Sequence, residues 1–225
     1  MTKNIRVMIA TYKNIKISQT DARKVRGFFA DLDKQDSNLH NHLSDGTEIY
    51  RYPKIQYKVL NGKPTIVAIE EGIRSIHRHL MEEKILQIGN KIYSEVELDI
   101  KLSELPVGDS KYVREYQFET PWLALNQANA VRYFEADEEE RKVILGKILI
   151  GNVLSICKGL GVTVEGQLKV SHQLKNIPVY YKGKKMEAFT GKFQINCCIP
   201  ELCGIGKGTS RGFGTVKLDR KQEEV

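Results

Sequence analysis

No CxxC pair occurs anywhere in the chain; its four cysteines are Cys157, Cys197, Cys198 and Cys203. That spacing argues against a zinc site and reads as reduced, buried structural thiols. Cys197 and Cys198 are adjacent and would point to opposite faces of a strand. Long apolar runs are also lacking. The most apolar stretch, Val143 to Leu160, is interrupted by Lys147, Asn152 and Lys158 and does not read as a membrane span. The start, MTKNIRVMIATYK, has no apolar core long enough for a signal peptide, so a cytoplasmic protein without membrane partners is expected. With 41% hydrophobic and 28% charged residues, wholesale disorder is excluded.

What is present is material for a full core and a cationic surface. The 225 residues suffice for one large domain or two small ones. Thirty-five Lys and Arg against 28 acidic residues leave a net charge of +7. That surplus favours polyanionic partners, because each phosphate neutralised by Lys or Arg releases condensed counterions.

Residues 3 to 11 are rich in Ile, Val and Met and predict a first strand. Thr20 and Asp21 can cap a helix whose stripe is Val25, Phe28, Phe29 and Leu32. Residues 38 to 52 are polar and read as a loop. Two β-rich runs, 54–60 and 65–69, flank Asn61-Gly62, a strong hairpin signal because both turn residues must reach positive φ. A second amphipathic helix is predicted over 72–88 and a fourth strand over 91–102. The order β-α-β-β-α-β is the ferredoxin-like arrangement. Pro106 to Asp109 looks like a linker. Beyond it come a strand at 112–118, a helical region at 122–160 broken near Asp137, and β-rich segments consistent with a second, modified ferredoxin-like domain. The division expected is 1–103 and 104–225. Trp122, after Pro121, reads as a core anchor at a helix start.

Two motifs could carry chemistry. From Gly204 to Leu218 the chain reads GIGKGTSRGFGTVKL, with Gly204, Gly206, Gly208, Gly212 and Gly214 around Lys207 and Arg211. Such a segment lets backbone and cations approach a phosphate chain closely; a merely flexible loop is the alternative. It is not a Walker loop, since Gly208 rather than Ser or Thr follows Lys207. RGFGTVKL echoes an RNA-recognition strand, but Thr215 and Leu218 stand where aromatics would stack on bases. The second motif is His40-Asn41-His42. Two imidazoles could divide base and acid roles near neutrality, or be solvated loop residues. His77 and His79 fall about 200° apart on a helix and read as solvated. Tyr50, Tyr52, Tyr57 and Lys58 flank the histidine loop and read mostly as strand and hairpin packing.

The run HNH, then YRYPKIQYKVLNGKPTIVAIEEG, PWLALNQ, ILIGNVLSICKGL and the glycine-rich loop resemble, in that order, the CRISPR-associated repeat-cleaving endoribonucleases of the RAMP superfamily. The nearest resemblance is to the subtype with paired N-terminal-domain histidines. It implies an α+β fold of two tandem ferredoxin-like (RRM-like) domains facing across a cleft, and cleavage of precursor CRISPR RNA within each repeat.

On that resemblance His40 and His42 carry acid–base work, Tyr50 or Lys54 assists, and the loop from Gly204 to Gly214 holds RNA through Lys207 and Arg211. Lys24 and Lys34 are further candidates. RNA supplies its own nucleophile, the 2′-OH. The reaction expected is therefore metal- and cofactor-free, leaving a 2′,3′-cyclic phosphate and a 5′-OH. The partner is CRISPR repeat RNA; other effector subunits and a homodimer are left open. The competing reading is a non-catalytic RNA-binding subunit of an effector complex.

Overall fold

The computed structural model describes residues 2–40 and 51–219. These residues form two compact units, one of residues 4–105 with 209–212, the other of residues 2–3, 106–208 and 213–219. The fold is α+β and tandem ferredoxin-like.

In the first unit, β1 (Thr2–Tyr12) leads through a short turn into α1 (Ala22–Leu32). The one-turn helix α2 (Ser37–His40) follows. Next come β2 (Ile55–Leu60), β3 (Lys63–Ile69) and α3 (Glu71–Glu82). Val25 and Phe29 of α1 and Ile76 and Leu80 of α3 pack on Met8, Ala10, Tyr57, Ile66 and Ala68 of the strands. Each such side chain contributes about 1.5–3 kcal/mol by leaving water. The hairpin forms as expected: Asn61 and Gly62 take φ of 52° and 76°, and Leu60 pairs with Lys63. With the strand β6 (Leu98–Phe118) the order is β2-β3-β1-β6, that of a ferredoxin-like sheet.

Several expectations fail, among them the single strand over 91–102, which is divided between Lys91–Tyr93 and a strand that begins at Leu98. The second helix ends at Glu82, and Leu86–Ile88 is instead a strand, β4, paired with β5 (Lys91–Tyr93). Leu86 and Ile88 alternate inward around exposed Gln87, a period of two that the helical reading of Ile85 obscured. The supposed linker is also absent. Pro106 to Asp109 lie within one 21-residue strand, β6 (Leu98–Phe118), which contributes to both units. Gly108 takes φ of 116° there and pairs with Cys198 of the strand β8 (Lys184–Cys198), and the register between the two strands shifts further on, between Asp109 and Arg114.

In the second unit β6 is followed by α4 (Gln127–Glu135) and α5 (Glu138–Gly159). The helical region breaks at Asp137 as read, because Asp137 is the N-cap of α5 and accepts from the Glu140 N–H. Trp122 is a buried anchor but not a helix start; it bridges Phe189, five residues before α4 begins. The strands β7 (Val170–Tyr181), β8 (Lys184–Cys198) and β9 (Val216–Leu218) complete a sheet of order β9-β6-β8-β7. Phe118 stacks on Trp122 at 5.4 Å, and Phe189 and Phe193 pack beside them. All four cysteines are buried and unbridged. The Sγ atoms of Cys157 and Cys197 lie 3.9 Å apart, and that contact together with burial raises the Cys197 thiol pKa.

Candidate functional site

The segment leading to the histidines is built by local capping. Asp33 Oδ1 accepts from the N–H groups of Gln35 and Asp36, and Asp36 Oδ1 accepts from the N–H of Asn38. Asp36 therefore starts α2, which ends at His40. Leu39 is buried in the core, and the Tyr57 hydroxyl donates to its carbonyl at 3.4 Å. Burial pushes the Tyr57 phenol up, so it stays protonated as a donor. His42 and Tyr50 lie outside the described residues, as does the side chain of His40.

At the other end of the intervening chain, Arg51 Nη2 donates to Ser37 Oγ at 3.0 Å and to Asn38 Oδ1 at 2.9 Å. The Asn38 amide N–H donates to Ser75 Oγ on α3 at 3.0 Å. Asn38, Ser75, Arg74, His77, Arg78 and Glu71 are among the residues lining an open groove of about 950 Å³. Lys54 is nearly buried, with its ammonium 3.4 Å from Glu71. Thus Asn38, two residues before His40, and Glu71, the partner of Lys54, share one groove. His77 is exposed, but His79 is buried, which corrects the expectation that both are solvated. Sequence reading passed over Asn38, Arg51 and Ser75, three ordinary polar residues with no motif around them.

The glycine-rich loop has the backbone its composition called for. Gly206, Gly208, Gly212 and Gly214 all have positive φ, between 64° and 84°. What approaches them closely is the protein itself. A Cβ on Gly206 would lie 2.6 Å from Trp122 Nε1, and one on Gly208 would lie 2.9 Å from Tyr181. On Gly214 it would collide with the Ile205 carbonyl, and on Gly212 it would reach 3.0 Å from the Tyr57 carbonyl. The Gly212 and Gly214 N–H groups donate to the carbonyls of Thr209 and Pro121, and Gly204 bridges Thr215. The loop is therefore a packed element rather than a flexible one.

Its cations stand in different settings. Lys207 is exposed and lies 5.4 Å over the ring of Tyr181, which meets Phe213 edge-on at 5.6 Å. Tyr181 is held there by the β7–β8 hairpin, whose turn Lys182-Gly183 takes φ of 50° and 78°. Arg211 belongs to the turn Thr209–Gly212, which packs with the first unit, where Gln19 Nε2 donates to the Gly212 carbonyl. His172 is half-buried, its Nε2 2.9 Å from the Lys142 carbonyl. Among the described residues, no helix is long and apolar enough to cross a membrane.

Tandem ferredoxin-like units with a packed glycine-rich loop near the C-terminus match the fold of Cas6 proteins. The family comparison is narrower. Residues 3–105 match the Cas6b N-terminal domain and residues 108–218 the Cas6b C-terminal domain, so the chain belongs to the Cas6b family. A crystal structure of a Cas6b superposes with a TM-score of 0.92 at 38% identity, covering 96% of this chain and 100% of that one. A CRISPR RNA processing endoribonuclease Cas6b superposes at 0.80 and 34% identity, with the same coverage. An uncharacterized protein of Methanocaldococcus jannaschii is 39% identical over 132 residues, which is 58% of this chain and 90% of that protein.

Proposed function

We propose that this protein is an endoribonuclease that cuts CRISPR precursor RNA within its repeats, without a metal ion. The observation that carries the reading is the whole-chain likeness to a CRISPR RNA processing endoribonuclease at 34% identity. The net charge of +7 suits a polyanionic substrate.

The chemistry follows from the substrate. One imidazole of the pair His40 and His42 removes the 2′-OH proton, and the oxygen attacks the adjacent phosphate. The other imidazole protonates the departing 5′ oxygen, leaving a 2′,3′-cyclic phosphate and a 5′-OH. Lys54 or Tyr50 assists, a cation stabilising the extra charge of the phosphorane. Lys207 and Arg211 hold the RNA backbone. Since the Gly212 and Gly214 N–H groups are engaged by protein carbonyls, the loop contributes charge through these side chains.

The test is incubation of purified protein with labelled repeat RNA in EDTA, beside RNA carrying one 2′-deoxy substitution before the scissile phosphate. Cleavage is expected to persist in EDTA and to vanish on the deoxy substrate. A requirement for added Mg²⁺ would sink the mechanism. Tight binding with no cleavage under any condition would favour a non-catalytic RNA-binding subunit.

A further inference from the structure

We infer that Arg51, Asn38 and Ser75 form a hydrogen-bonded clamp that positions His40, which makes Arg51 and Asn38 positioning residues for RNA cleavage; the inference rests on the acid–base role proposed for His40. A helix of one turn is not stable by itself. In α2 the capping by Asp36 and the burial of Leu39 hold the backbone at one end and on one side. Ser37 and Asn38 add side-chain hydrogen bonds to that hold.

There the Asn38 amide is used at both ends. Its oxygen accepts from Arg51 at 2.9 Å, and its N–H donates to Ser75 at 3.0 Å. Ser75 lies on α3, which is anchored in the core through Ile76 and Leu80. Arg51 donates through the same nitrogen to Ser37 at 3.0 Å. The three groups thus run from a rigid helix, through the middle of α2, to the residue at which the chain returns 13 positions later. His40 is two residues beyond Asn38 in the same turn, so any rotation of α2 carries its backbone along.

Arg51 is exposed, and a solvated arginine holding two polar side chains adds little to global stability. Its consequence is geometric. Misplacing a reacting group by about 1 Å can slow a reaction by roughly 10²-fold. The arrangement therefore acts on rate more than on folding or RNA affinity.

The experiment uses the full chain with Arg51→Ala, Asn38→Leu and Asn38→Asp. The aspartate keeps an acceptor for Arg51 and can accept from the Ser75 hydroxyl. Three quantities are measured: single-turnover cleavage at saturating enzyme, repeat-RNA affinity across salt concentrations, and the NMR signal of the His40 ring, assigned by its loss in His40→Gln. In Arg51→Ala and Asn38→Leu the His40 signal should move and the rate should fall by about 10- to 100-fold. Affinity, salt slope and melting temperature should hold, and Asn38→Asp should restore most of the rate. An unmoved His40 signal overturns the inference, as does an affinity loss that accounts for the slower cleavage. A moved signal with an unchanged rate leaves the clamp standing and removes His40 from the chemistry instead.

Discussion

The indole N–H of Trp122 donates to the side-chain oxygen of Asn152 at 3.1 Å, and Gly206 is pressed against that bond. A methyl group on Gly206 would stand 2.6 Å from the indole nitrogen and 2.8 Å from the Asn152 oxygen, at a φ of 82°. Gly206→Ala should therefore destabilise the second unit by about 2 kcal/mol or more, the left-handed backbone alone costing roughly 1–2 kcal/mol. Trp122 is the single tryptophan, so its fluorescence reports the transition directly. A melting temperature unchanged within error would show that the loop is not packed as described.

The same bond can be tested from the other side. Trp122→Phe keeps an aromatic ring against Phe118 but removes the donor to Asn152. A loss of about 1–3 kcal/mol is expected from an acceptor left without its partner. Chemical denaturation followed by circular dichroism measures it. Asn152→Leu combined with Trp122→Phe should recover part of the loss.

The histidine pair gives a kinetic prediction. His40→Ala and His42→Ala should each slow single-turnover cleavage by roughly 10²–10⁴-fold, with RNA affinity little changed. If one histidine covers for the other, only the double variant will be nearly inactive. Full cleavage by the double variant would remove both from the mechanism.

The loop cations should act on binding. Arg211→Ala and Lys207→Ala should each weaken repeat-RNA affinity and flatten the slope of log K against log salt by roughly 0.7–0.9 per lost phosphate contact. At saturating protein the cleavage rate should largely recover, unlike that of a histidine variant. Filter binding at several salt concentrations decides this, and an unchanged slope would mean that the RNA path lies elsewhere.

Acid stability offers a smaller effect with a definite sign. The Lys24 ammonium, 2.7 Å from Asp21, holds that carboxyl below its ordinary value. A depressed folded-state pKa contributes stability that is present above the unfolded value, about 3.9, and is lost as pH falls through the folded one. Because Lys24 is exposed and Asp21 only partly buried, solvent screening should keep the contribution to about 1 kcal/mol or less. Asp21→Asn should accordingly lower stability slightly at neutral pH and converge on the parent only as pH falls below the depressed folded-state value.

Much of the local architecture was determined by sequence alone. Asn61-Gly62 dictated its hairpin because both residues could reach positive φ, and Asp137 dictated the start of α5 by capping it. The stripe of Val25 and Phe29 specified α1, and the order of elements in the first half specified its ferredoxin-like unit. These signals lie within a few residues of what they determine. The tertiary structure decided the rest. Pro106 and Gly108 are turn-like locally, yet one long strand runs through both, with Gly108 paired to Cys198 of β8. The glycines of the C-terminal loop could be recognised as positions needing positive φ. That Gly206 faces Trp122 and Gly212 faces Tyr57 depended on partners brought together from distant parts of the chain. The same holds for Arg51, Asn38 and Ser75, whose polar side chains have no periodicity and acquire a role only once β2, α2 and α3 are packed on one core.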